Sequence, residues 1–324
     1  MKFTVLLCTR NSQRLIDEVM SSIVNQTLRE DILEIIFADY ESQDDTLFLA
    51  KKIAAEAGIP FVALNCTKSG KSPALVVGLN AARGDYIVIV DDDNVLFPNF
   101  IFEAKKILLA GDIGCLGSMG VFDTNLLKPC WFDKYPSEYA IGLPNGGGNT
   151  DWVWGAGCVV NKEAWSKLNK KSFDFVLNIE RTSSATPIAL GGEDVELALA
   201  VKSLGFSVVS SAQLKFFHKF EQERLTTRFL FANAKGVARS APVHEVYRLM
   251  LNGKTGRFKV FLWRLKVLRK LLACIKNIIK SLIIGDHFAR TYYGSIFIGI
   301  WQGYRIFSPN IDKVMTTVGS LHET

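Results

Sequence analysis

Short runs of β-branched and other apolar residues alternate with stretches of helical spacing along most of the chain. The apolar runs predict strands at 3–7, 33–38, 61–64, 87–90, 153–160 and 206–210, and the helical spacing predicts helices at 15–24, 46–57, 72–82, 162–168 and 195–204. Alternation of this kind favours a parallel sheet with helices on both faces. We therefore expect an α/β fold with a mostly parallel sheet.

Three consecutive aspartates, Asp91, Asp92 and Asp93, follow the most hydrophobic of the predicted strands. A β-branched run of this kind is typical of a buried strand, and open α/β sheets bind ligands at the carboxyl ends of their strands. Adjacent carboxylates repel one another unless a cation lies among them. Since hard divalent cations take oxygen ligands, the triplet predicts a metal that carries a phosphorylated substrate. An acidic turn without a ligand is the alternative.

Other polar residues recur at the ends of predicted elements. Asp39 ends the second strand, where it can serve the same sheet edge or cap the following helix. Glu193 and Asp194 follow two glycines at a helix start, so they can supply a general base or simply suit a helix N-terminus. His218 follows a strand and can act as a further metal ligand, with a structural role as the alternative.

Taken in order, these features resemble a family 2 glycosyltransferase with the GT-A fold over residues 1 to about 240. The matching segments are Val5–Asn11, Glu34–Asp39 with Ser42 and Asp44, Gly70–Tyr86, the DxD motif at Asp91 and Asp93, Trp154–Gly157, Gly192–Leu197, and His218 with Arg224–Thr226.

The chain departs from the family pattern at several positions. Cys8 stands where a proline is usual, and Tyr40–Glu41 stands where Asp-Gly or Asn-Gly is common. Leu75–Val76 replaces a common Arg-Asn pair whose arginine often helps to hold the donor diphosphate. Lys71 is the candidate substitute for that arginine.

The resemblance implies inverting transfer of a sugar from a nucleotide-diphosphate donor, with a UDP-sugar favoured, to a hydroxyl of a glycan or lipid-linked acceptor. It implies Mn²⁺ or Mg²⁺ as the cofactor, held by Asp91, Asp93 and His218, and Asp194 as the general base. The residues implied in donor-nucleotide binding are Thr9, Arg10, Asn11, Asp39, Lys71, Asp91 and Asp92. Those implied in contacting the donor sugar or the acceptor are Trp154, Gly155, Ala156, Gly157 and Glu193. Within the triplet, Asp92 points the other way along the strand and is the member expected to be structural.

Two other functions fit parts of the pattern. A sugar nucleotidyltransferase shares the sheet type, but it would carry a glycine-rich basic loop after the first strand, whereas Thr9–Ser12 contains no glycine. A catalytically inactive nucleotide-sugar-binding protein is the second alternative, and the presence of Asp93 and Asp194 argues against it.

The C-terminal part of the 324-residue chain differs in charge from the rest. The formal net charge is +6, and basic residues predominate after about residue 215. We expect a catalytic domain at 1–240 and a helical region at 241–324. The stretch 258–284 contains no acidic residue and predicts a basic amphipathic helix, which can contact an anionic membrane surface or pack on the catalytic domain.

Further features bear on compartment and partners. The six cysteines are scattered without a CxxC pair, and no signal peptide is recognisable, so we expect a cytoplasmic protein at the inner face of the cell membrane. The apolar segment 296–300 is shorter than the ~20 residues that span a bilayer. Few aromatic residues align with the C-terminal lysines, so no nucleic-acid partner is expected.

Overall fold

The computed structural model of the chain describes residues 1–67, 70–123, 125–179, 191–253, 256 and 258–322. It divides into two compact units that interleave along the sequence. The first comprises Met1–Phe173 and Leu204–Phe220, and the second comprises Asp174–Ser203 and Glu221–Thr324. The domain division proposed at residue 240 stays a prediction.

The first unit is built on one mixed sheet. Its strands are β1 (Phe3–Thr9), β2 (Ile32–Asp39), β3 (Phe61–Asn65), β4 (Tyr86–Asp91), β5 (Asn94–Leu96), β6 (Ile113–Phe122), β7 (Gly148–Asn149), β8 (Cys158–Asn161) and β9 (Ser207–His218). Its helices are α1 (Ile16–Val24), α2 (Thr46–Glu56), α3 (Lys71–Ala81), α4 (Phe100–Leu108) and α5 (Lys162–Lys170).

The sheet runs in the order β3-β2-β1-β4-β8-β6-β9-β5, and β7 pairs with β9. The first four strands of this order are mutually parallel, β8 is antiparallel to both β4 and β6, and β6 is parallel to β9. The mostly parallel α/β architecture predicted from the sequence is confirmed.

Both faces of the central strands are covered. Every residue of β1 is buried, as its mostly apolar sequence predicts for a strand between two helical layers. Val5 and Leu7 belong to the apolar cluster that includes Val19 of α1. On α3, a Cβ at Gly78 would lie 2.2 Å from Leu6 Cδ1, so a glycine is needed for this close approach.

The turn that leads into β4 is fixed to the sheet by a buried carboxylate. Glu34 is 1% exposed and accepts hydrogen bonds from the Thr4 hydroxyl (2.9 Å) and from Arg83 Nε (2.8 Å). The Gly84 amide donates to the Thr4 hydroxyl at 2.9 Å, and a Cβ at Gly84 would lie 2.5 Å from the Thr4 nitrogen. These contacts give the Arg83–Gly84 motif a structural role that sets the start of β4.

Two predicted boundaries differ from the observed ones. The strand predicted at 153–160 begins only at Cys158, because Gly157 adopts φ +62° and turns the chain just before it. The last strand extends through His218, beyond the predicted end at residue 210, since its second half pairs with β5 and β6.

The described part of the second unit is helical. Its helices are α6 (Val176–Ile179), α7 (Glu193–Ser203), α8 (Thr227–Ala238), α9 (Ala241–Leu251), α10 (Lys259–Ile283), α11 (His287–Phe307) and α12 (Ile311–Gly319). α10 spans 25 residues and is anchored by Trp263, whose indole N–H donates to the Pro242 carbonyl at 2.8 Å. Among the described residues, no helix combines the length and the hydropathy that crossing a membrane requires.

Candidate active site

The carboxyl ends of β1, β2 and β4 bring three of the predicted site residues to one edge of the sheet. Thr9 is the register partner of Asp39, and Cys8 is the register partner of Asp91. Because these strands are parallel neighbours, their last residues lie side by side. The edge is the position at which open α/β sheets bind ligands.

The first aspartate of the triplet pairs with a lysine. Lys71 is the first residue of α3, and its Nζ lies 2.5 Å from Asp91 Oδ1, with both side chains partly exposed. Gly70, at φ +110°, precedes the helix in a conformation that suits glycine. A cation is therefore held next to the first carboxylate at the sheet edge.

The second aspartate faces the loop after β1. Asp92 Oδ2 accepts a hydrogen bond from the Thr9 hydroxyl at 2.8 Å and a second from the Ser12 hydroxyl. Burial raises the pKa of Asp92 above its ordinary value, and the neighbouring Asp93 adds to the rise, while the two hydroxyls act in the opposite direction. Asp92 thus joins two loops, which agrees with the structural role suggested for it by its direction along the strand.

The third aspartate is fixed from two sides. The Asn94 amide donates to Asp93 Oδ1 at 2.9 Å, and His218 Nε2 lies 3.3 Å from Asp93 Oδ2. Asn94 is fully buried, and its own amide oxygen accepts from the Asp91 amide at 3.1 Å. The turn after β4 therefore holds the Asp93 carboxylate in a defined position.

The contact between His218 and Asp93 has a specific electrostatic requirement. His218 Nδ1 lies 2.7 Å from the Tyr139 carbonyl oxygen, which can only accept, so Nδ1 carries a proton. In the neutral ring, Nε2 then presents a lone pair to a carboxylate oxygen that also only accepts. The 3.3 Å contact needs either a second proton on His218 or a cation shared by the two atoms.

The donor set fits a divalent cation that a substrate helps to hold. Within the described ranges, no three His, Cys, Asp or Glu side chains cluster so as to enclose a metal by themselves. Asp93 and His218 offer one carboxylate and one imidazole, a pair that suits Mn²⁺. Ions of this kind commonly complete their coordination with substrate phosphates and water.

The remaining predicted nucleotide-binding residues lie in the loops after β1 and β2. The Asp39 carboxylate accepts from the Ser42 hydroxyl at 2.5 Å, and the Ser42 oxygen accepts from the Asn11 amide at 2.9 Å. Asn11 adopts φ +52°, a conformation that asparagine tolerates. The Arg10 guanidinium lies 4.8 Å from the centre of the Tyr40 ring. The two loops are therefore tied together at the sheet edge.

The segment Trp154–Gly157 precedes β8, which enters the sheet antiparallel to β4 with Cys158 opposite Ile89. Trp154 is buried, and its indole N–H donates to the Gly142 carbonyl at 3.2 Å. The Ser118 hydroxyl donates to the Ala156 carbonyl at 2.9 Å. The segment thus forms a fixed turn on the carboxyl side of β4, in the same unit as the triplet.

Glu193 and Asp194 begin α7, in the second unit. The turn before them is held at Gly192, which adopts φ +100° and whose carbonyl lies 3.0 Å from His244 Nε2. Burial lowers the pKa of His244 to about 3, so the ring is neutral and donates through Nε2 to this carbonyl. The start of α7 is thereby connected to α9.

Glu196, one turn further along α7, is fully buried. It accepts from the Val176 amide (2.7 Å), the Leu177 amide (3.3 Å) and the Tyr247 hydroxyl (2.9 Å). Burial raises the pKa of Glu196 to about 7 although these donors act in the opposite direction. Glu196 therefore connects α6, α7 and α9 around the helix that carries Asp194.

Sequence reasoning missed three contributors to the first unit's site. Ser12 and Asn94 each lie close in sequence to a predicted site residue. Their hydrogen-bonding side chains were the sequence feature that could have identified them. Tyr139 acts through its backbone carbonyl, for which the sequence carries no signal.

The chain is similar to known glycosyltransferases in sequence and in fold. Residues 4–146 match the model of a family described as Glycosyl transferase family 2. Over 108 residues the chain is 28% identical to the poly(ribitol-phosphate) beta-N-acetylglucosaminyltransferase TarS of Staphylococcus aureus strain Mu50, an alignment that covers 33% of this chain and 19% of that protein. The chain therefore matches about a fifth of the length of this relative.

Solved structures share the fold over nearly the whole chain. The mannosyltransferase PcManGT from Pyrobaculum calidifontis, solved with GDP-Man and Mn²⁺, aligns with a TM-score of 0.53 and 16% identity over 99% of this chain and 84% of that chain. S. aureus TarS 1–349 in complex with UDP-GlcNAc aligns with a TM-score of 0.51 and 13% identity over 94% of this chain and 92% of that chain. The comparisons confirm the fold class that the sequence predicts, and the match over residues 4–146 agrees with the family that the sequence resembles.

Proposed function

We propose that the chain catalyses inverting transfer of a sugar from a nucleotide-diphosphate donor to an acceptor hydroxyl, because residues 4–146 match the model of glycosyl transferase family 2 and the chain shares its fold with solved glycosyltransferases. The observation that carries the proposal is the division of contacts among the three aspartates. One is paired with a lysine, one joins two loops and one lies 3.3 Å from a histidine ring nitrogen.

The donor is proposed to be a UDP-sugar bound at the carboxyl edge of β1, β2 and β4. The loops that carry Thr9, Arg10, Asn11 and Asp39 offer hydroxyl, cationic and amide groups and a carboxylate for the base and ribose. Lys71 is suited to an anionic diphosphate, since its ammonium already lies against a carboxylate at this edge. The similar TarS structure contains UDP-GlcNAc, which supports the choice of a uridine nucleotide.

Asp93 and His218 would hold a Mn²⁺ or Mg²⁺ ion, with Asp91 as a further carboxylate near the diphosphate. With His218 neutral, the 3.3 Å contact between Asp93 Oδ2 and His218 Nε2 would join two acceptors, and a cation between them would satisfy both. When bound, such an ion would neutralise charge that develops on the leaving diphosphate. The PcManGT structure was solved with Mn²⁺, which supports the same chemistry here.

Asp194 is proposed as the general base. Its carboxylate would take the proton of the acceptor hydroxyl as that oxygen bonds to the anomeric carbon, while the bond from that carbon to the diphosphate oxygen breaks. Glu193 and the Trp154–Gly157 turn would contact the sugar or the acceptor. The acceptor is proposed to be a glycan or a lipid-linked glycan, and a cytoplasmic position at the inner membrane face would bring the enzyme to it.

The test asks whether cleavage of the sugar donor depends on a divalent metal. The purified protein is incubated with UDP-GlcNAc or UDP-glucose and Mn²⁺, and UDP release is measured with and without EDTA. Donor cleavage that requires Mn²⁺ supports the proposal, whereas cleavage that EDTA leaves unchanged would rule out the metal role of Asp93 and His218.

A substitution separates the base from the binding site. We expect Asp194→Asn to abolish sugar transfer while UDP still raises the melting temperature in the presence of Mn²⁺. Asp17→Asn is the matched control, since Asp17 is an exposed acid in the first turn of α1. Wild-type turnover by the Asp194 variant would exclude Asp194 as the base.

A further inference from the structure

One face of α10 is buried within the second unit. Trp263, Val267, Leu271 and Cys274 are each at most 8% exposed and follow one another at intervals of three or four residues. The Trp263 ring stacks on Tyr304 of α11, with 5.3 Å between the ring centres. This face accounts for the packing that an amphipathic helix needs.

A second apolar face of α10 lies beside the buried one. We call it the exposed stripe, and its members are Phe261, Leu268, Leu272, Ile275, Ile279 and Leu282, whose exposed fractions lie between 39% and 63%. Ile283, the last residue of the helix, and Ile284 just after it are still more exposed. At 100° per residue around the helix axis, the centre of the stripe lies more than 90° from Trp263. The stripe is therefore a different face from the buried one. Within the described part of the chain, these side chains remain open to solvent.

A basic arc borders the exposed stripe. Its members Lys266, Arg269, Lys276 and Lys280 are all exposed, and Arg264 borders the stripe on its other side. Lys270 is excluded from the arc because it pairs with Glu245 at 3.1 Å. Since no acid occurs between residues 258 and 284, the arc has no counter-charge on its own helix.

The charge around the exposed stripe distinguishes two candidate binding partners, a second copy of the helix and an anionic lipid surface. The stripe residues recur at four- and three-residue intervals from Leu268 to Leu282, a spacing that a second copy of the helix could match. In a self-pair, however, the basic flanks of both copies would approach each other, and like charges beside a helix seam oppose association. An anionic lipid surface accepts the apolar stripe and attracts the arc at the same time.

We propose that α10 docks lengthwise on an anionic membrane leaflet, with the exposed stripe in the boundary between headgroups and acyl chains and the basic arc against the lipid phosphates. From Phe261 to Leu282 the stripe is about 30 Å long at 1.5 Å per residue, so the whole helix would lie in the plane of the surface. The docking requires no sugar donor, and it stands independently of the proposed transfer reaction.

The test is flotation of the full-length protein with vesicles of phosphatidylcholine, with or without phosphatidylglycerol. We expect binding only with phosphatidylglycerol. Leu272→Ser with Ile279→Ser should weaken that binding at least about tenfold, because two aliphatic side chains leave the interface. Lys276→Gln with Lys280→Gln should weaken it about 25-fold, at roughly fivefold for each charge.

The matched control is Phe48→Ser with Leu109→Ser, which removes two exposed apolar side chains from the first unit. We expect this variant to bind as the wild type does. Circular dichroism and the melting temperature of each variant show that it is folded. Light scattering of the lipid-free protein reports its oligomeric state.

Several results would overturn the proposal. One is a wild-type protein that floats with neither vesicle, and another is a stripe variant that binds as well as the control. A third is a lipid-free oligomer that the stripe substitutions convert to a monomer, which would assign the stripe to a second copy of the chain. A failure of flotation leaves UDP release unaffected, so the two proposals fail separately.

Discussion

Replacing Glu196 by glutamine should remove a pH-dependent loss of stability from the second unit. Glu196 is fully buried, and its donors within the described part of the chain are uncharged, namely the amides of Val176 and Leu177 and the hydroxyl of Tyr247. Its ionised form is therefore poorly compensated inside the protein. Glutamine keeps the size and one acceptor oxygen, but it cannot ionise.

The magnitude follows from the pKa. Burial raises the pKa of Glu196 from 4.5 to about 7, so that as the pH rises the unfolded chain releases this proton before the folded chain does. Stability falls wherever the folded state binds more protons, which is the window between these two values. The full difference corresponds to about 3 kcal/mol of stability, which is present below pH 4.5 and is lost as the pH rises to about 7.

The assay is urea unfolding of the wild type and of Glu196→Gln at several pH values, followed by circular dichroism. The free energy of unfolding of the variant, relative to the wild type, should rise by about 3 kcal/mol between about pH 4 and about pH 8. A pH-independent difference in the free energy of unfolding is expected as well, because the new amide NH₂ group would face the Leu177 N–H and cannot accept its hydrogen bond. Glu56→Gln is the control, since Glu56 is 65% exposed. A difference that does not change with pH would refute the reasoning.

Substitutions at three further positions, Gly84, Asp92 and Lys71, test the first unit. Gly84→Ala should destabilise the protein by about 3 kcal/mol, because the new Cβ would lie 2.5 Å from the Thr4 nitrogen, whereas Gly111→Ala should be nearly neutral in the same unfolding assay. Asp92→Asn should keep UDP affinity within about threefold, while Asp92→Ala should lose about 2 kcal/mol of stability by removing the carboxylate that accepts from the Thr9 and Ser12 hydroxyls. Lys71→Met should weaken UDP binding about tenfold in calorimetry and leave uridine binding unchanged, and equal losses for both ligands would contradict a diphosphate contact.

Local pattern was sufficient to predict the strand before the triplet and the placement of its carboxylates. β4 is a continuous apolar run, and its parallel pairing with β1 follows from the alternation of strands and helices. Most partners of the carboxylates come from distant segments, so local pattern alone could not pair them, although the family resemblance had placed His218 with Asp93 at the metal. His218 reaches Asp93 across 125 positions, and the Tyr139 carbonyl that orients its ring lies in an irregular connection.

The apolar face of α10 shows a second limit of prediction from the sequence. Helical spacing predicts one apolar face that contains Val267, Leu268, Leu271 and Leu272. In the structure, Val267 and Leu271 are buried while Leu268 and Leu272 are about half exposed. Periodicity gives the direction of each side chain around the helix, but the position of the packing helices decides which directions are covered.

The position of β9 in the sheet affects how the chain folds while it is being synthesised. β9 is the last strand to leave the ribosome, yet it lies between β6 and β5. At typical elongation rates of about 5–20 residues per second, β6 waits about 5–20 s for this partner. During that interval the nascent chain exposes an unpaired strand edge, which favours association with other chains. A gene fragment that ends before residue 204 would make this state permanent, so we expect it to require chaperones and to accumulate in inclusion bodies.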